Sequence, residues 1–170
     1  MACGSFANKQ ETTFLTAQKD LFGIVTKFIN NENLKKLLYH ATKDALEKPD
    51  LSQEQTLGLL HKNIRVVPKI EVEETVESYV IITFDNFVTN ANNPQFRDNI
   101  ITFDIICHLE HWTMENYRLR PYLIMGEIDA MFNNEKLNGI GKVDFVSANQ
   151  LLLSSELAGF TLTYRVINDV

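Results

Sequence analysis

The densest group of residues able to do chemistry is Cys107-His108-Leu109-Glu110-His111, which offers a thiol, two imidazoles and a carboxylate. All are zinc-ligand types, and a closed zinc site needs four of them converging on one point. The surrounding pattern opposes convergence. Ile101, Phe103, Ile105, Cys107 and Leu109 alternate with Thr102, Asp104 and His108, so the stretch reads as a strand. On a strand His108 and His111 point to opposite faces, and Cys107 falls on the apolar face, where a small thiol packs well. A metal site would need a turn to begin at His108, and no second ligand cluster stands elsewhere in the chain. Other candidates are weaker still. Ser154 and Ser155 lack the G-x-S-x-G elbow of a nucleophilic serine. Gly139-Ile140-Gly141-Lys142 lacks the full phosphate-loop pattern and precedes a strand, where that loop precedes a helix. Asp85 and Asp104 lie on neighbouring predicted strands and could face one another, but each is more simply solvated or paired with an Arg. His40 and His61 sit in helical stretches as boundary residues. The expectation is no catalytic residue, no metal and no cofactor.

Two other groups suit contact rather than catalysis. Trp112, Tyr117 and Tyr122, with Arg118 and Arg120, flank a strand and a long helix, and such residues are enriched at protein–protein contacts. Asn93 and Phe96 sit in the turn-rich loop from Asn90 to Asn99. Glu71, Glu73, Glu74 and Glu77 form an acidic stretch that is either solvated or turned towards a surface that must not bind a polyanion.

The elements that must position these residues follow from periodicity. The chain has 170 residues, 45% hydrophobic and 22% charged, which suits one folded domain and excludes a wholly disordered chain. No apolar run reaches the length of a membrane span, and the N-terminus has no basic start followed by a long apolar segment, so neither a membrane partner nor a signal peptide is expected. Cys3 and Cys107 cannot build a disulfide framework. The net charge of −6 argues against a surface that grips DNA. Residues 1–15 read as a loose arm, and residues 16–170 as one domain. Leu21, Phe22, Val25, Phe28 and Ile29 make one helical stripe, and Leu34, Leu37 and Leu38 a second. Ser52 and Gln55 fit a capping box opening a third helix, with Leu57, Leu60 and the stem of Lys62 following. Ile64 to Ile70 reads as an edge strand. Tyr79 to Val88 is apolar on both faces and reads as central, pairing with Ile100 to Leu109 in a hairpin. Arg120-Pro121 opens the longest internal helix, striped by Ile124, Met125, Ile128, Met131 and Phe132. Two strands follow, Lys142 to Ser147 and Phe160 to Val166. The order predicts an α+β fold, with a mostly antiparallel or mixed sheet of about five strands, N-terminal helices and one long internal helix packed on one side.

Three segments together carry a family resemblance. They are Phe84-Asp85-Asn86-Phe87 with Asn93-Pro94-Gln95-Phe96; Ile101 to His108 followed by Trp112 and Leu119-Arg120-Pro121; and Gly126 to Met131 through Gly139-Ile140-Gly141, Ser147 to Gln150 and Leu157 to Phe160. In pattern and element order the chain resembles the head–tail connector group of tailed bacteriophages, most closely the tail terminators. The resemblance implies a non-enzymatic virion protein of the tail and neck, assembled in the host cytoplasm. It would form a homo-oligomeric ring, usually of six subunits, between the tail tube protein and the head–tail connector or stopper protein. Genome DNA would pass through without specific binding, and no catalytic residue or cofactor is implied. In a ring, Trp112, Tyr117, Arg118, Arg120, Asn93 and Phe96 are candidate interface residues, and Glu71, Glu73, Glu74 and Glu77 candidate lumen or contact residues. The alternatives are a head–tail adaptor or stopper and, from another class, a small metal-binding enzyme using Cys107, His108 and His111.

Overall fold

A computed structural model describes residues 13–66, 77–89, 97–137 and 141–167. The helices are α1 (Thr13–Asn30), α2 (Glu32–Tyr39), α3 (Gln53–Leu59) and α4 (Arg120–Phe132). The strands are β1 (Ile64–Arg65), β2 (Ser78–Thr89), β3 (Arg97–His108), β4 (Lys136–Leu137), β5 (Gly141–Leu152) and β6 (Leu157–Ile167). They form one sheet in the order β1-β2-β3-β6-β5-β4. Among the described residues only β1 pairs in parallel, with β2; the other pairings are antiparallel. This is the α+β fold that the element order predicts.

Local sequence explains most boundaries. Ser52 Oγ accepts the Gln55 amide proton at 3.2 Å and Gln55 Oε1 accepts that of Ser52 at 2.9 Å, closing the capping box ahead of α3. Asn31 caps α2 by accepting from the Leu34 amide at 2.9 Å. Pro121 sits in the first turn of α4, where its missing N–H leaves no bond unmade.

The helices gather on one sheet face. Phe103 of β3 stacks between Phe28 of α1 and Phe132 of α4, at ring separations of 5.6 and 5.2 Å, and meets Tyr164 of β6 edge-on at 5.7 Å. Ile101, Ile105 and Cys107 flank it on β3, Val80 and Ile82 on β2, and Leu162 and Val166 on β6, all buried. Full burial of each large apolar side chain stabilises the fold by about 1.5–3 kcal/mol.

In α3 the buried residue is Leu59, while Leu57 is exposed. Two expectations need correction. The strand predicted to reach Leu109 ends at His108; Leu109 is exposed and opens a 3-10 turn. β2 is not central. Its outer neighbour β1 pairs with only Val80 and Ile81. Its second apolar face belongs to a separate cluster, in which Tyr79 and Ile81 meet Ile106 and Leu157 on the side away from the helices.

Asp20 on α1 is only 6% exposed, and burial pushes its pKa from 3.8 up to about 6. Between those values the folded chain keeps a proton that the unfolded chain releases. Stability should therefore fall as pH rises from about 4 through about 6, by roughly 2–3 kcal/mol. Asp20→Asn should flatten that part of the stability profile and raise Tm at pH 7.5 by roughly 5 °C. Thermal melts of both proteins across this pH range check it.

Candidate functional site

The residues singled out for chemistry and contact have different fates. His108 closes β3 and the 3-10 turn at Leu109–His111 follows at once, so the two histidines do not point apart. Their ring centroids are 6.3 Å apart. His108 Nδ1 accepts the Glu110 amide proton at 3.3 Å, and its Nε2 lies 3.7 Å from a Glu156 carboxylate oxygen. Cys107 points the other way, into the core, and burial pushes its thiol up to about 11, so it supplies no thiolate at neutral pH. Among the described residues no three His, Cys, Asp or Glu side chains are grouped to hold a metal ion. Asp85 is level with Ile100 and Asp104 with Ile81, so the two acids sit about 13 Å apart along the strands. Asp104 instead accepts a hydrogen bond from the Thr161 hydroxyl at 2.6 Å.

Of the candidate interface residues, Tyr117 stands furthest into solvent, 98% exposed, with φ of 57° at both Asn116 and Tyr117. Left-handed backbone at non-glycine residues costs of order 1–3 kcal/mol and persists where neighbouring bonds fix it. Here the Met114 amide donates to Arg118 O at 2.8 Å, and Thr113 bridges Leu119. Arg118 is half-buried and donates from Nε to Glu115 O at 3.4 Å. Trp112 is half-buried against the main core. Arg120 is not a surface residue at all. It is 1% exposed, and its guanidinium serves backbone carbonyls inside the fold, so it is unavailable to a partner. Glu77 is half-buried and pairs with Lys62 at 2.5 Å. Asn93, Phe96, Glu71, Glu73 and Glu74 lie outside the described residues, as do Gly139 and Ile140 of the Gly139–Lys142 turn.

A cleft of about 500 Å³ lies between the α1–α2 junction and α4. Several of its polar groups bond one another, while Glu32 Oε2 in its wall is buried without a hydrogen-bond partner. Glu127 accepts from the Asn31 and Asn33 amides at 2.9 and 3.0 Å, and Lys27 Nζ donates to Met131 O at 3.2 Å. The cleft joins helices and has no evident reactive group.

The feature periodicity alone did not reveal is the sheet face turned away from the helices. One end of it is the apolar cluster around Tyr79 and Ile106. Alternation along the strands places Thr83, Asp85, Thr102, Asp104, Ser147, Asn149, Asp144, Thr161, Thr163 and Arg165 over the rest. Lys142 pairs with Asp144 at 2.7 Å. The result is a broad face of hydroxyls and carboxylates over which no described helix packs.

Residues 31–166, from the cap of α2 to the end of β6, match the YomW family. The chain belongs to the YomW family. That name is a phage-derived one and suggests a phage origin. The matched span includes all six strands, α2, α3 and α4, and leaves out α1. No match is found among curated proteins or solved structures.

Proposed function

We propose that the chain is a non-enzymatic structural protein of a tailed phage, forming a ring that ends the tail tube and joins it to the head connector. The observation that carries this reading is the hydroxyl- and carboxylate-bearing sheet face of a phage-associated YomW chain. Placed around a channel, copies that each carry a net charge of −6 repel a passing polyanion rather than hold it. The architecture also supports a terminator over its structural neighbours. Four helices backed on a six-stranded sheet are neither the small β-barrel of a stopper nor the helical bundle of an adaptor. The rigid loop carrying Tyr117 adds an exposed aromatic of the kind that anchors a subunit contact.

Phage lacking the gene should produce heads and tails that fail to join, with tails of uneven length in electron micrographs. Particles from wild-type phage should show this chain as a ring in the neck. Normal infectious particles from the deletion strain would overturn the reading.

A further inference from the structure

We propose that two copies of this chain pair through the open stretch of β5, residues 147–152, set antiparallel about a two-fold axis at Gln150. The contact goes beyond the ring proposed above and does not rest on it. A two-fold contact closes on two copies, so neighbours around a ring would meet through other surfaces.

β5 is the last long strand on its side of the sheet, and its outer edge is only partly used. At one end the chain after α4 fills that edge. The Asn134 amide donates to Val143 O at 2.8 Å, the Val143 amide to Glu135 O at 3.0 Å and the Phe145 amide to Asn133 Oδ1 at 3.2 Å, while β4 takes Gly141 and Lys142. Past the bulge between Phe145 and Ser147, nothing among the described residues pairs with the outer edge. Hydrogen-bonded pairs alternate along an antiparallel ladder. The Leu153 amide donates to Leu157 O at 3.1 Å, so Leu151, Asn149 and Ser147 turn their backbone groups towards β6, and Ala148, Gln150 and Leu152 turn theirs outward. All three are exposed, Leu152 to 71%. A row of open donors and acceptors of this kind is completed by another strand.

The stretch fits itself. With the axis at Gln150, antiparallel pairing sets Gln150 opposite Gln150 of the second copy and Ala148 opposite its Leu152. Outward backbone groups then meet outward ones, and paired side chains lie on the same side of the joined sheet. The bounds of the stretch favour a second copy over a long foreign strand. A strand running on past Ser147 would enter the lane that residues 133–135 occupy. β5 of a second copy does not, because the chain leaves that lane at Leu153, where the Leu153 and Ser154 amides both go to Leu157 O. Charge points the same way. Residues 147–152 include no charged side chain and no proline, two devices that keep an edge from pairing, although the whole chain carries −6. The seam is thus a neutral part of an acidic molecule. It would cover Leu152 of each copy beside Ala148 of the other on the helix side, where Tyr122 and Phe160 stand 5.2 Å apart one strand in from the edge.

The test uses the full chain, with sedimentation and native mass spectrometry across a concentration series and amide hydrogen exchange at its two ends. Dimers should form and should tighten as added salt screens the like net charges. On pairing, residues 147–153 should exchange at least about tenfold more slowly, while residues 100–107 of the central strand exchange as in the monomer. Gln150→Lys and Gln150→Glu each set like charges against one another at the axis. Each variant alone should need at least about fivefold higher concentration to dimerise. An equimolar mixture of the two, one of them isotope-labelled, should recover wild-type affinity as mixed dimers. That recovery requires residue 150 to meet itself, which neither misfolding nor a contact elsewhere reproduces. If either variant melts below wild type, exchange on the wild-type chain decides alone. A chain that stays monomeric to about 100 μM, dimers whose β5 exchanges as in the monomer, or folded Lys and Glu variants that dimerise like wild type overturn the pairing.

Discussion

Gly159→Ala should remove at least about 4 kcal/mol of folding stability, most of what a domain of this size has to lose. Gly159 lies in β6 opposite Ile106 of β3. A Cβ built there would sit 1.7 Å from the Ile105 carbonyl oxygen and 2.7 Å from its carbon. The obstruction is backbone, so no side-chain rotation relieves it. Either β6 moves away from β3, or the two strands unpair across the middle of the sheet. Overpacking a core side chain typically costs about 1–3 kcal/mol, and displacing a central strand costs more because every bond of the ladder shares the shift. Gly126→Ala is the control. Gly126 is exposed within α4, nothing lies within 4 Å of a Cβ there, and alanine is the better helix former by about 1 kcal/mol. Urea titrations should show Gly126→Ala shifted to higher denaturant and Gly159→Ala shifted far lower or unfolded in buffer. A Gly159→Ala protein within about 1 kcal/mol of wild type would show that β3 and β6 do not approach this closely.

That glycine marks the limit of what the sequence discloses. Local signals were legible: the Ser52–Gln55 box, Pro121 in the first turn of α4, and the alternation of Ile101, Phe103, Ile105 and Cys107 all produce the elements they indicate. Each depends on residues within a few positions of one another. Nothing near Gly159 in the chain marks this constraint, because its close neighbour, Ile105, is more than fifty positions away. His108 and His111 read as pointing apart because nothing in their spacing shows that the strand stops between them. The two edges of the sheet were equally hidden. Strand order is a tertiary fact, and β2, apolar on both faces, resembles a central strand although only two residues of β1 separate it from the rim. The face of hydroxyls and carboxylates is visible strand by strand as polar alternation, but becomes one surface only when β2, β3, β6 and β5 are set side by side.

Arg120→Met should cost about 3–5 kcal/mol, and Arg120→Lys should recover only part of that loss. The guanidinium donates to the Leu37, His40, Thr42 and His111 carbonyls at 2.5, 2.8, 2.6 and 2.9 Å. Leu37 lies in the last turn of α2, and His40 and Thr42 just follow it, so Arg120 satisfies carbonyls that the helix end leaves unpaired. It also places positive charge at the negative end of the helix. Methionine fills the volume but leaves the buried Leu37 carbonyl without this donor and removes the bonds to the part-buried His40, Thr42 and His111 carbonyls. Lysine keeps the charge but is a point donor and lacks the flat fork that reaches carbonyls on two sides. The loss should be local before it is global. Because Arg120 ties the segment after α2 to the turn at Leu109–His111, amide exchange in residues 37–45 and 109–119 should accelerate in Arg120→Lys, while β5 and β6 keep their protection. Uniform acceleration across the whole chain, or a Met variant as stable as wild type, would show that this buried cation does not act as the tie between helix and sheet. In sequence Arg120 looks like an exposed contact residue, because its partners are backbone carbonyls and carry no side-chain signature. The proposed ring would therefore depend on Arg120 through the fold and not through the interface.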